Sequence, residues 1–274
     1  MVSFELEARL DNLLATAQEE TSNIDLFAPI QEKEECPICM ITLPIHEEEI
    51  SFSECCGKYV CSGCVCENIK TYRNQIERRV ITMEEFKCAF CRQPPPKNTI
   101  KALKKLMKKN NTQAFLHMAG YYERGDGVMQ SDIKALEMRI RAAELGNAQA
   151  YTLIAYQYDY GNLVGQNTPK VFEFLEIAAK KRSIPAHNML AIYEENFGNI
   201  EKSIEHRKVA ASAGHKESMD ELMKAYKDKS LSKEELTQTL RAYQVSNDLT
   251  KSKERDNAKI FVEANRDGIF GVEK

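Results

Sequence analysis

Nine cysteines, at positions 36, 39, 55, 56, 61, 64, 66, 88 and 91, crowd into 56 residues of a 274-residue chain, and none follows. Disulfide frameworks belong to oxidising compartments and use even numbers of cysteines. Here the number is odd, and Met1-Val2-Ser3-Phe4-Glu5 lacks the basic start and apolar core of a secretory leader. No apolar run approaches the length needed to span a bilayer. The expectation is a reduced protein of the cytosol or nucleus, with no membrane partner, whose thiols hold metal.

Eight of the cysteines form four pairs: Cys36-Pro-Ile-Cys39, Cys55-Cys56, Cys61-Ser-Gly-Cys64 and Cys88-Ala-Phe-Cys91. Three are C-x2-C knuckles, a spacing that lets two thiolates converge on one ion. Zinc takes four soft or borderline ligands in a tetrahedron, so eight cysteines fill two shells and leave no open position. Closed shells point to structural zinc and away from a zinc-bound hydroxide that hydrolyses a substrate.

The order of these pairs, with Glu35-Cys36-Pro-Ile-Cys39-Met40, Cys56-Gly57-Lys58-Tyr59-Val60-Cys61 and Cys91-Arg92 followed by prolines, resembles a RING finger. The likeness is to the all-cysteine kind found in a subunit of the eukaryotic deadenylase complex. The resemblance implies two zinc ions in a cross-brace, one on Cys36, Cys39, Cys61 and Cys64, the other on Cys55, Cys56, Cys88 and Cys91. It further implies a ubiquitin-protein ligase, which holds a ubiquitin-conjugating enzyme and its thioester-linked ubiquitin in reactive geometry without covalent chemistry of its own. The docking positions carry over to Ile38, Ile69, Tyr72 and Ala89. Arg92 matches the arginine that bonds both the enzyme and ubiquitin. This chain departs from the pattern in three ways. Cys55 and Cys56 are adjacent where the family separates its ligands, with His46 or Cys66 as reserve. The usual docking tryptophan and proline are also absent, and the chain has no tryptophan at all. A non-catalytic adaptor, in which zinc staples a docking module to the rest of the chain, therefore stays open beside the ligase.

The length allows two modest domains. Residues 1–31 read as an acidic amphipathic helix and linker, with Phe4, Leu6, Leu10, Leu13, Leu14 and Ala17 at helical spacing. Either a weakly docked tail or a partner-binding helix fits that pattern. Residues 32–96 are the finger, and residues 97–112 a connecting helix with six lysines and no acid. No aromatic side chain lies in that helix to stack a base, and the whole chain carries a net charge of −3, so nucleic acid is not the expected partner. Residues 247–274 read as a C-terminal tail.

Between 113 and 246 the chain repeats itself. Ala114 and Ala119 recur as Ala150 and Ala155, then as Ala186 and Ala191, at intervals of 36 residues. Paired alanines at 142–143, 178–179 and 210–211 mark the second half of each unit, and a fainter fourth unit runs from Ser218 to Tyr243. Small residues at fixed spacing let helix backbones approach closely, and hairpins of this kind stack because none buries its apolar face alone. The Ala-x4-Ala-x2-Tyr helix, the turn from Gly125 to Val128, Lys134-Ala135 and Ala142-Ala143-x2-Gly146 resemble Sel-one-like repeats, relatives of the tetratricopeptide repeat. That resemblance implies a protein-binding scaffold, here for a protein substrate. The fold class expected is mostly α: a small cross-braced zinc finger joined to an α-solenoid of helical-hairpin repeats.

Overall fold

Residues 4–30, 33–45, 47–77 and 86–264 are described by a computed structural model, and the chain divides into two units. One combines Met1–Gln31 with Leu103–Ser246, the other Glu32–Ala102 with Asn247–Lys274. In chain order the elements are α1 (Phe4–Glu20), β1 (Ile50–Ser53), β2 (Lys58–Cys61), α2 (Ser62–Glu77), α3 (Thr99–Met107), α4 (Thr112–Arg124) and α5 (Asp132–Glu144). There follow α6 (Ala148–Tyr160), α7 (Thr168–Lys180), α8 (Ile184–Asn196), α9 (Ile200–Ser212), α10 (Lys216–Lys227), α11 (Lys233–Asp248) and α12 (Lys253–Ala264). Among the described residues, no helix is long and apolar enough to cross a membrane.

The alanine register becomes the packing register. Helices α4 and α5, α6 and α7, and α8 and α9 pair as hairpins, and each hairpin packs on the next through α5–α6 and α7–α8. All twelve repeated alanines are buried, none more than 3% exposed. Leu136, Ile140, Ile154, Phe174, Leu175 and Leu190 fill the space around them in one cluster that runs from α1 to α8. A smaller cluster of Ile204, Ala211, Met219, Leu222 and Leu231 serves the last part of the solenoid.

Capping follows the same period. Asn111, Asn147 and Ser183, 36 residues apart, open the first helix of successive hairpins. Each accepts a hydrogen bond from the amide three residues on, at 2.9, 3.0 and 3.3 Å. Asn147 also donates to Thr112 Oγ1 at 3.0 Å, and the Thr152 and Ser183 hydroxyls lie 3.1 Å apart, so the caps tie neighbouring hairpins together. After the second helices, Gly146 and Gly214 take left-handed conformations, with φ of 85° and 106°. Arg182 stands at the same place with φ of 70°. A residue with a Cβ costs about 1 kcal/mol there relative to glycine.

Helix α1 is docked on its own repeats, packing against α5 and α7. Leu6, Leu10, Leu13, Leu14 and Ala17 are buried in the solenoid core. Its polar edge pairs Arg9 with Glu144 at 2.7 Å, Glu20 with Lys181 at 3.1 Å, and Asp11 with Lys170.

The second unit is small. Strands β1 and β2 form an antiparallel hairpin with Ile50 opposite Cys61 and Ser53 opposite Lys58, and α2 follows directly. Residues 253–264, assigned to a tail from sequence, are the helix α12, and it packs against α2.

Candidate metal centre

Two turns of the same construction present the outer knuckles. The Met40 amide donates to Cys36 O at 2.9 Å, and the Cys36 amide to Ile41 O at 3.0 Å. The Arg92 amide donates to Cys88 O at 3.1 Å, and the Cys88 amide to Gln93 O at 2.8 Å. Both turns close with a left-handed residue, Met40 at φ 56° and Arg92 at φ 60°. The hairpin supplies the middle pairs. Cys55 and Cys56 lie in the β1–β2 turn, where the Cys56 and Gly57 amides donate to Ser53 O at 3.2 and 2.7 Å and Gly57 has φ of 72°. Cys61 ends β2, and Cys64 sits in the first turn of α2.

The pairs interleave. Cys36, Cys39, Cys61 and Cys64 bring their sulfurs within 4.8 Å of one another, as do Cys55, Cys56, Cys88 and Cys91. Sγ–Sγ separations are 3.9 Å for Cys36–Cys64, 3.8 Å for Cys39–Cys61 and 3.4 Å for Cys55–Cys91. A tetrahedron of sulfurs about 2.3 Å from a central zinc has an edge of about 3.8 Å. A disulfide needs about 2.05 Å, and every described cysteine is a free thiol. The residues present therefore fit the group: each quartet can hold a metal ion such as zinc. The tight turn lets both adjacent cysteines, 55 and 56, face the second quartet. Cys66 is buried on α2 and belongs to neither quartet, and burial pushes its thiol up. His46 lies outside the described residues.

The electrostatics of the two quartets run in parallel. Burial pushes the Cys36 thiol up, but backbone hydrogen bonds at Cys61, Cys39 and Ile38 outweigh it and draw it down to about 7. Burial also raises Cys88, and hydrogen bonds from the Cys91 backbone, the Ser53 side chain and the Phe90 backbone bring it to about 6. Cys55, Cys56, Cys61 and Cys64 move the opposite way: burial first, then their neighbouring sulfurs, push Cys55 and Cys64 far up, burial raises Cys61, and burial drives Cys56 to about 11. In each quartet one thiol is thus drawn towards the thiolate while buried neighbours are pushed away from it, and a cation among the sulfurs would favour their ionisation.

The remaining sequence-derived residues lie around these quartets. Ile38 is 38% exposed, Ile69, Tyr72 and Ala89 are half-buried, and the Tyr72 ring lies 5.0 Å from that of Phe86. Arg92 is exposed and donates from Nη1 to Asn68 Oδ1 at 3.0 Å, while Asn68 donates to Lys87 O at 3.0 Å. Sequence reasoning missed Asn68, whose side chain ties α2 to the last knuckle. It also missed Arg255, on α12, which donates to Ile41 O, Thr42 O and Cys39 Sγ.

Fold and site together define a helical-repeat protein with two interleaved cysteine quartets, each able to hold a metal ion. Among solved structures the chain is similar to a Sel1 repeat protein from Oxalobacter formigenes, at 25% identity and a TM-score of 0.42, over 46% of this chain and 97% of that one. It is also similar to c5321, a protective antigen of uropathogenic Escherichia coli strains with an SLR fold, at 21% identity and a TM-score of 0.44, over 53% of this chain and 32% of that one. No family profile and no curated protein sequence matches the chain.

Proposed function

We propose that this chain is a RING-type ubiquitin-protein ligase, in which the finger recruits a ubiquitin-conjugating enzyme and the solenoid holds a protein substrate. The observation that carries the reading is the interleaving: the first and third cysteine pairs share one quartet and the second and fourth share the other. Zinc, when bound, supplies a closed structural shell that fixes the two knuckle turns. Ile38, Ile69, Tyr72 and Ala89 then offer an apolar patch to the conjugating enzyme. Arg92 stays exposed beside it, and among the described residues its guanidinium donates to Asn68 Oδ1 with only part of its five-donor fork, so donors are left to restrain the thioester conjugate. The chemistry is orientation: a substrate lysine attacks a carbonyl held near its reactive geometry. Reduced thiols in both quartets suit a cytosolic or nuclear site of action.

The experiment combines purified protein with activating enzyme, a panel of conjugating enzymes, ubiquitin and ATP. Chain formation that slows roughly ten- to a hundredfold in Arg92→Ala, with zinc content unchanged, is the expected result. Alanine and arginine meet the left-handed backbone at 92 with similar strain, so the substitution isolates the side chain. A second reading, the zinc-stapled adaptor, draws on the Arg92–Asn68 bond, which gives the guanidinium an internal task, and on the absence of tryptophan. A wild type inert with every conjugating enzyme decides for the adaptor.

A further inference from the structure

Arg255 is 2% exposed, although it lies 216 residues from the cysteine that it touches. Its guanidinium joins two stretches of backbone and one sulfur. Nη1 donates to Thr42 O and to Thr250 O, both at 2.6 Å; Nη2 donates to Ile41 O at 3.1 Å and to Cys39 Sγ at 3.8 Å. Ile41 and Thr42 form the exit of the first knuckle, and Thr250 precedes α12, so one planar fork pins the helix to the turn that presents Cys36 and Cys39.

The approach is close enough to dictate sequence inside a knuckle. A Cβ added at Gly63, between Cys61 and Cys64, would lie 2.9 Å from the Arg255 backbone nitrogen and 3.0 Å from the Glu254 carbonyl carbon. No side chain fits there while α12 is in place. Further along, Lys259 pairs with Glu49 at 3.0 Å, and the Lys70 ammonium lies 5.5 Å from the centre of the Phe261 ring. Among the described residues, the donors that reach the second quartet are neutral: the Ser53 side chain and the backbone at Cys91, Phe90 and Lys58.

We propose that α12 is a clamp on the first quartet, with Arg255 as the positioning residue that holds its metal more firmly than the second quartet holds its own. This rests on the reading that both quartets bind zinc. Four thiolates around one divalent ion leave a net charge of about −2 in a buried site. A fixed guanidinium offsets that charge, and an N–H donated to sulfur makes the thiolate a poorer target for protons and competing ligands. The fork also holds the Ile41–Thr42 segment, so that Cys36 and Cys39 cannot swing away singly.

The test is chelator-driven zinc release from the full-length protein, followed with a colour indicator and with alkylation of the freed thiols mapped by mass spectrometry. Arg255→Ala is expected to speed release of one ion per chain by about tenfold or more, with Cys36, Cys39, Cys61 and Cys64 as the newly alkylated set. Arg255→Lys keeps the charge without the fork and falls between. Gly63→Ala, which pushes α12 off with Arg255 intact, accelerates the same ion. A wild type that holds two ions, with Arg255→Ala releasing both at wild-type rates, both equally faster, or the Cys55 quartet first, overturns the clamp alone. A wild type that holds fewer than two ions overturns the zinc reading and the clamp with it.

Discussion

The solenoid and the zinc unit, so named for the ions proposed to fill its quartets, solve the same problem with opposite means. In the solenoid, alanines buried to the backbone and a continuous apolar cluster spread stability over seven helices, so no single contact decides the fold. In the zinc unit, a buried apolar cluster among the described residues consists of Cys36, Val60 and Cys61, with Cys39, Leu43, Cys64 and Val65 around it. Four of those seven are the first quartet itself, so this cluster and the ligand shell largely coincide. Burial of apolar area suffices where neighbouring units can stack, and coordination takes over where they cannot.

The largest effect that sharpens this contrast is chelation. Removing metal should unfold the zinc unit outright, since zinc binding is folding free energy in domains of this size. Helical circular dichroism from the solenoid should persist, along with its thermal transition. Loss of both signals together would break the comparison.

The solenoid has an acid sensitivity of its own. His187 and His206 are buried with their Nδ1 atoms 3.1 Å apart, and the Phe27 ring packs against His206. Burial, joined by His206 for one ring and by Lys202 for the other, lowers both to about 4 from a usual 6.5. Between those values the unfolded chain binds more protons than the folded one. Solenoid stability is therefore complete above pH 6.5 and falls as pH drops towards 4, by roughly 3 kcal/mol for a single ring. Denaturant midpoints of the helical signal at pH 7 and pH 5 measure it; equal midpoints would place the rings in water.

Smaller effects probe the repeat register. Ala155→Leu should destabilise the solenoid by about 1–3 kcal/mol, because Ala155 is fully buried between helices. An unchanged melting midpoint contradicts the shared register. Arg182→Gly should do the reverse and stabilise it by about 0.5–1 kcal/mol, since the left-handed backbone is already in place at that turn. A lowered midpoint would mean that the arginine side chain contributes more than its strain costs.

What could be read in the sequence divides along the same line. The alanine spacing gave the hairpins and their stacking because a small residue at a helix crossing has no substitute of equal size. The capping series Asn111, Asn147 and Ser183 stood in the same 36-residue period and went unread, since a single asparagine or serine signals a cap weakly. The apolar stripe of α1 was plain, but the surface it covers, on α5 and α7, lies more than a hundred residues away, and Arg9, Asp11 and Glu20 find their partners only there. In the zinc unit the pairs declared themselves by spacing. Their partners in space did not: adjacency of Cys55 and Cys56 is compatible with one ligand or two, and a turn at Ser53–Gly57 lets both face one quartet. Arg255 carried no local signal whatever. Its role comes from a contact across more than two hundred residues, with Gly63 as the one trace left in the knuckle.

On the reading proposed here, the eight cysteines form two separate metal shells with their pairs interleaved. Metal analysis of carefully reduced, full-length protein tests it most directly, beside the same measurement on Cys39→Ser and Cys91→Ser. Two zinc ions per chain in the wild type, and loss of the Cys36 shell from one variant and of the Cys55 shell from the other, is the expected result. One ion or none in the wild type, or a single shell lost in both variants, would contradict it.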